Sequence, residues 1–192
     1  NEAVTLYCHK NEALVVQTAL NLFRQDYVKV LAASPRTESL KKARIVVGTI
    51  DNSEIAAWAA EQGICLDRLQ GKHEGFLLKV LGVGNKYRLA VLGSDKRGTA
   101  YGLMTLVRMM GVSPWQWWAD CEPTPREVFQ LEADFERLEV PSVAYRGIFI
   151  NDEDWGLNPW SSNNYEPKMR QRNGEDSTPR NGEIGPYTHE RI

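Results

Sequence analysis

The amino-acid sequence predicts a mixed α/β fold, and three features carry that reading. Short runs of β-branched and aliphatic residues alternate with amphipathic segments. Glycine, proline and asparagine mark the joints between them. Two of the runs are separated by only a few turn-forming residues, which reads as a hairpin. The pieces give the order β-α-β-α-β-β-α over roughly the first 110 residues, a compact α/β layer.

Each element has its own signal. Ala3 to Cys8 (AVTLYC) reads as a short buried strand, broken by His9 and Lys10. Asn11 is a candidate N-cap for the next segment. From Glu12 to Ala33 the apolar residues Val16, Leu20, Phe23, Tyr27 and Val30 recur at steps of 4, 3, 4 and 3. That is one face of a long helix, which Ser34 and Pro35 end. Arg44 to Ile50 (RIVVGTI) is a second buried strand. Asp51, Asn52 and Ser53 offer caps for a helix over Glu54 to Gln62, stopped by Gly63. Glu74 to Leu81 and Tyr87 to Gly93 form the hairpin, with Gly82, Gly84 and Asn85 in the connection. Arg97 to Met110 is a helix with Ala100, Leu103, Val107 and Met110 on its inner face. Ser94 and Asp95 cap its start and Gly111 ends it.

The run VSPWQWWADC follows. Trp115, Trp117 and Trp118 cannot all face one core from a regular element, so an irregular segment is expected. It fits either a hydrophobic plug between domains or a platform for stacking sugars. The stretch marked by Pro123, Pro125 and Pro141 reads as a linker holding a short strand, Glu127 to Leu131. The domain boundary is placed near Pro141, giving residues 1–141 and 142–192.

Past that boundary, YRGIFINDEDWGLNPW (Tyr145 to Trp160) begins as a strand. It runs into Asp152, Glu153 and Asp154, flanked by Trp155 and Trp160. Carboxylates can bind hydroxyls or do acid–base work, and indole faces stack on sugar rings. The same run also fits a solvated turn. Ser161 to Arg180 is polar and aperiodic, a long loop. Ile184 to Ile192 (IGPYTHERI) looks like a turn opening a helix, with Pro186 just inside it. Strand, loop and helix start make the first βα unit of something larger.

Composition excludes several classes. The 192 residues carry a net charge of -2, with 42% hydrophobic and 25% charged residues. The absence of a basic stripe argues against nucleic acid as a partner. No apolar run is long enough to span a membrane. Cys8, Cys65 and Cys121 are widely spaced, and His9, His73 and His189 have no ligand spacing, so no metal or cofactor is expected. Gly82-Val83-Gly84 lacks the third glycine of a dinucleotide loop. The SDKRG run, Ser94 to Gly98, could hold an anion but lacks phosphate-loop spacing and suits plain capping. A nucleotide-binding reading therefore has the fold order without the phosphate site.

Three blocks together resemble glycoside hydrolase family 115, the xylan α-1,2-glucuronidases. They are DKRGTAYGLMTLVRMMGVSPWQWWADC (Asp95 to Cys121), YRGIFINDEDWGLNPW and IGPYTHERI. The resemblance implies a non-catalytic N-terminal α/β domain, similar to the accessory domains of hexosaminidase-type enzymes. It also implies that the catalytic (β/α)8 barrel begins after Pro141. Such a barrel needs about 250 residues, so the barrel here is incomplete. The implied reaction is inverting, metal-independent removal of (4-O-methyl)glucuronic acid from glucuronoxylan or xylo-oligosaccharides. Asn151, Asp152, Glu153 and Trp155 would lie at the functional end of barrel strand one and bind substrate. Adjacent carboxylates such as Asp152 and Glu153 make a poor acid/base pair, so the catalytic pair is expected beyond Ile192.

The resemblance points to a bacterial protein of the periplasm or the extracellular space, with a leader outside this chain. Alone, the chain would be inactive. A stand-alone carbohydrate-binding module is the alternative. The strand at Val143 to Ile150, lacking neighbours, predicts dimerisation or aggregation of the isolated piece.

Overall fold

A computed structural model describes residues 4–82 and 87–149. Contacts divide the chain into two units, Asn1–Ala144 and Tyr145–Ile192. The first contains β1 (Thr5–Cys8), α1 (Leu14–Leu31), β2 (Arg36–Thr37), β3 (Ile45–Thr49) and α2 (Ser53–Glu61). A 3-10 turn at Leu66–Arg68 leads to β4 (Phe76–Leu81) and β5 (Arg88–Gly93). Then come α3 (Lys96–Met109), α4 (Trp115–Ala119) and β6 (Glu136–Glu139).

The strands form one sheet in the order β2-β1-β3-β5-β4-β6. β1 pairs in parallel with β2 and β3, and β3 in parallel with β5. β4 is antiparallel to both β5 and β6. The predicted hairpin is present, with Leu81 opposite Arg88.

Both faces of the sheet are covered, as expected where helices cross between parallel strands. Alternation along each strand sorts the side chains. Ile45, Val47, Leu89, Val91, Phe76 and Leu78 join α1 and α3 in one core. Val46, Ala90, Leu92 and Leu77 join Ile55, Trp58 and Ala59 of α2 in the other. Phe23, Leu6, Leu78 and Leu103 are wholly buried. Each such side chain contributes about 1.5–3 kcal/mol. Arg88 lies over the Trp58 ring, 5.0 Å from its centroid. Its Nε donates to the Ala43 carbonyl at 2.9 Å.

Several expectations need correction. Asn11 does not cap α1. The N-cap is Ala13, which has no side chain able to bond. Asn11 instead lies in a turn, where its N–H donates to His9 Nδ1 at 3.2 Å. No strand forms over 127–131. Phe129, Leu131 and Phe135 pack on the α1/α3 core, so their alternating pattern serves side-chain burial without a ladder. The backbone around them is held singly: Arg126 N–H donates to the Val30 carbonyl and Val80 N–H to that of Phe135. The strand comes later, at β6, whose charged sequence ERLE gave no apolar signal. The tryptophan run is not irregular throughout, since Trp115–Ala119 makes a short helix ended by Asp120 at φ 52°. Trp115 is exposed.

Residues 145–149 make no strand pairing among the described residues. Tyr145, Ile148 and Phe149 are exposed.

Candidate functional site

In an open α/β sheet, polar chemistry gathers where the parallel strands end and the helices begin. Two clusters of ionisable side chains occupy that edge.

The first joins the β1–α1 turn to the end of β3. Glu12 Oε1 accepts from the Thr49 N–H at 2.9 Å, and Oε2 accepts from Thr49 Oγ1 at 2.9 Å. Thr49 Oγ1 meets Thr99 Oγ1 of α3 at 3.0 Å. The Tyr7 hydroxyl donates to Glu54 of α2. His9 Nε2 lies 3.9 Å from the same Glu54 carboxylate. Burial, then the hydrogen bond and charge of Glu54, raises the Tyr7 phenol above its ordinary range. Burial also pushes the Cys8 thiol up to about 12. Cys8 therefore stays protonated and is no nucleophile.

The second cluster sits where β4 starts and β5 ends. Glu74 is buried, with a backbone φ of 55°. Its Oε1 accepts from Arg97 at 2.8 Å. Asp95 caps α3, accepting from the Arg97 N–H at 3.0 Å and the Gly98 N–H at 2.8 Å. Its other oxygen accepts from the Glu74 N–H at 2.8 Å. Burial pushes the Asp95 carboxyl up, but those three N–H donors, with His73 3.6 Å away, outweigh it and hold the pKa below its ordinary value.

These groups are braces. Inverting glycoside hydrolysis needs one protonated acid and one base about 6.5–9.5 Å apart, with space for a water and a sugar ring. Here both oxygens of Glu12 and of Asp95 are engaged by protein donors, and Glu74 is paired with Arg97. No group of three or more His, Cys, Asp or Glu that could hold a metal occurs among the described residues. No helix among them is long and apolar enough to cross a membrane. The substrate-binding residues expected from sequence, Asn151, Asp152, Glu153 and Trp155, lie outside the described residues.

The capping role of Asp95 is legible in SDKRG. The Glu12 and Glu74 contacts are not, because each depends on partners far along the chain. For Glu12 the partner is Thr49, for Glu74 it is Arg97.

Comparison with known proteins supplies the class. Residues 3–106 match the profile described as Glycosyl hydrolase family 67 N-terminus. Residues 138–181 match Glycosyl hydrolase family 115. No curated protein sequence matches. One solved structure that is similar is described as a novel family GH115 4-O-methyl-α-glucuronidase, BtGH115A, with specificity for decorated arabinogalactans. The likeness has 44% identity and a TM-score of 0.77, covering 98% of this chain and 23% of that one. The α/β domain is thus of a glycosyl hydrolase type. The chain belongs to glycosyl hydrolase family 115. It spans less than a quarter of the solved relative's length.

Proposed function

We propose that the polypeptide carrying this chain is an α-glucuronidase. It hydrolyses the α-1,2 bond that joins (4-O-methyl)glucuronic acid to xylan, with inversion. The observation that carries this reading is 44% identity with a 4-O-methyl-α-glucuronidase across 98% of the chain. Residues 1–141 serve as an α/β accessory domain of the hexosaminidase type. Residues 142–192 open a (β/α)8 barrel, whose active site draws on the ends of several strands. Asn151, Asp152, Glu153 and Trp155 line the sugar pocket, and the acid and base come from strands beyond Ile192. The enzyme works in the periplasm or outside the cell, where the polysaccharide is.

A second reading concerns the polymer. The solved relative is described as specific for decorated arabinogalactans. The leaving polysaccharide here can be of that class, with the same uronic acid removed.

The test is release of glucuronic acid from glucuronoxylan and from a glucuronylated arabinogalactan. This chain is assayed beside a polypeptide of the relative's length. Release by the long form alone is expected, and the better polymer identifies the substrate. Release by the 192-residue chain would overturn the assignment of catalysis to later strands. No release by either, with sugar binding by the short chain, would favour a carbohydrate-binding module.

A further inference from the structure

The loop between β2 and β3 gathers positive charge in a chain that is negative overall. Residues 36–44 (RTESLKKAR) hold four basic residues and one acid, against a net charge of -2 for the whole chain. A turn closed by bonds from the Lys42 and Ala43 N–H groups to the Ser39 carbonyl packs Leu40 and Ala43 into the α2 core. Arg36, Lys41, Lys42 and Arg44 stay exposed around it. Thr37 Oγ1 accepts from Arg24 of α1 at 2.8 Å, so Arg36, its neighbour on the strand, faces the α2 side. Folding adds a fifth cation from far along the chain. Arg88, over the Trp58 ring, donates to the carbonyls of Leu40 and Ala43. Glu38 is turned to its own neighbour: its Oε1 accepts from the Ser39 N–H at 2.7 Å and from Ser39 Oγ at 3.0 Å. Arg44 donates to the Tyr87 carbonyl at 2.9 Å. Bonds to carbonyls hold Arg44 and Arg88 in place and leave their charge uncancelled. Among the described residues, the side chains of Arg36, Lys41 and Lys42 make no hydrogen bond or salt bridge. Glu61, which ends α2 on this side of the sheet, offsets part of the charge.

We infer that this loop is a binding surface for a polysaccharide bearing uronic acid carboxylates, separate from the pocket that hydrolyses it. The choice of polymer rests on the function proposed above. Three arguments favour that occupant. A guanidinium fork binds a carboxylate through two parallel hydrogen bonds, and the Arg36 side chain is unengaged. A discrete patch suits carboxylates carried on separate branches, whereas duplex DNA carries one charge per about 1.7 Å and needs a continuous basic track. The overall charge of -2 also opposes a dense polyanion. Finally, β2 is an edge strand, and the chain runs on from β6 at the opposite edge of the sheet.

The experiment follows binding of the 192-residue chain to immobilised glucuronoxylan and to a glucuronylated arabinogalactan by interferometry. The same polymers with their carboxyl groups reduced to alcohols are the neutral comparison. One variant combines Arg36→Gln, Lys41→Gln and Lys42→Gln. A second combines Lys10→Gln, Lys72→Gln and Lys96→Gln, exposed positions elsewhere, with the same change of net charge. The parent should bind at least one acidic polymer and neither reduced form. Three exposed charge contacts of ordinary strength amount together to about tenfold in affinity, the loss expected of the loop variant. The second variant should stay close to the parent. Raising the salt from about 0.02 M to about 0.5 M should weaken the parent's binding. The salt and reduction arms use the parent, so they decide even if a variant misfolds. No binding to either acidic polymer would overturn the assignment. Equal loss in both variants, or equal binding of the reduced polymers, would overturn it too. Tighter binding of a single-stranded oligonucleotide would give the surface to a denser polyanion and overturn the uronate reading. Binding is read without hydrolysis. Release of glucuronic acid by the long polypeptide without binding here removes this surface alone, and binding without release removes the enzyme alone.

Discussion

At the scale of single residues, the join between α3 and the sheet depends on atoms with no room to move. A Cβ placed on Gly98 would lie 2.1 Å from the Gly75 carbonyl oxygen. The helix start therefore rests on the backbone where β4 begins, and Asp95 can reach both the helix N–H groups and that of Glu74. This geometry ties stability to pH. The folded-state pKa of Asp95 is lowered, so its contribution is complete above the unfolded value of about 3.9. It is lost as pH falls through the folded value. Asp95→Asn keeps a capping oxygen without the charge. Its side-chain nitrogen then faces the Glu74 N–H, which costs about 1–2 kcal/mol at pH 7. The prediction is that urea-unfolding free energy of the variant falls less steeply than that of the parent below about pH 4. Parallel pH profiles for the two proteins would remove Asp95 from this role.

Among the elements, α1 is the least well started. Asn52 caps α2 and Asp95 caps α3, but Ala13 leaves the first N–H groups of α1 without a side-chain acceptor. The Ala13 backbone, at φ -57° and ψ 151°, already has the extended form of an N-cap. Ala13→Ser should therefore stabilise the chain by about 0.5–1 kcal/mol, read as a raised denaturant midpoint at unchanged m-value. A lowered midpoint would show that the β1–α1 turn cannot accept a cap. The same contrast explains what sequence reading could reach. The apolar periods of α1, β3, β5 and α3 announce themselves because each buries a face in one of two cores. Asn52 and Asp95 are legible as caps because their partners lie two and three residues away. Asn11 misled because Glu12 turns its carboxylate back to Thr49, across the chain, and the helix starts after that turn. β6 is illegible in the sequence because an edge strand tolerates charge: Glu136 pairs with Lys79 and Arg68. Such charges discourage pairing with another chain. The pocket residues around Glu153 rest on family resemblance, and no local period or contact in the described part bears on them.

For the whole molecule, the distribution of the core decides what can fold alone. Among the described residues, both apolar clusters draw on residues between Val4 and Leu138. The sheet of the described residues runs from β2 at one edge to β6 at the other, ending at Glu139. A domain of about 150 residues buries about 68–70% of its unfolded surface, enough for independent stability. A chain of residues 1–144 should therefore unfold in one cooperative thermal transition, with near-ultraviolet and far-ultraviolet dichroism changing together. Charged edge strands discourage strand-to-strand pairing, whereas the exposed apolar side chains of α1, Leu14, Val15, Leu22 and Val28, favour self-association at high concentration. The two effects separate by substitution. Leu14→Glu with Leu22→Glu should leave the melting midpoint within about 3 °C, since both positions are exposed in this unit, and should shift elution towards the monomer. Gradual melting without a transition would mean that the two cores are insufficient alone. Unchanged elution with the transition intact would mean that the exposed leucines of α1 are not what the isolated domain presents to its neighbours.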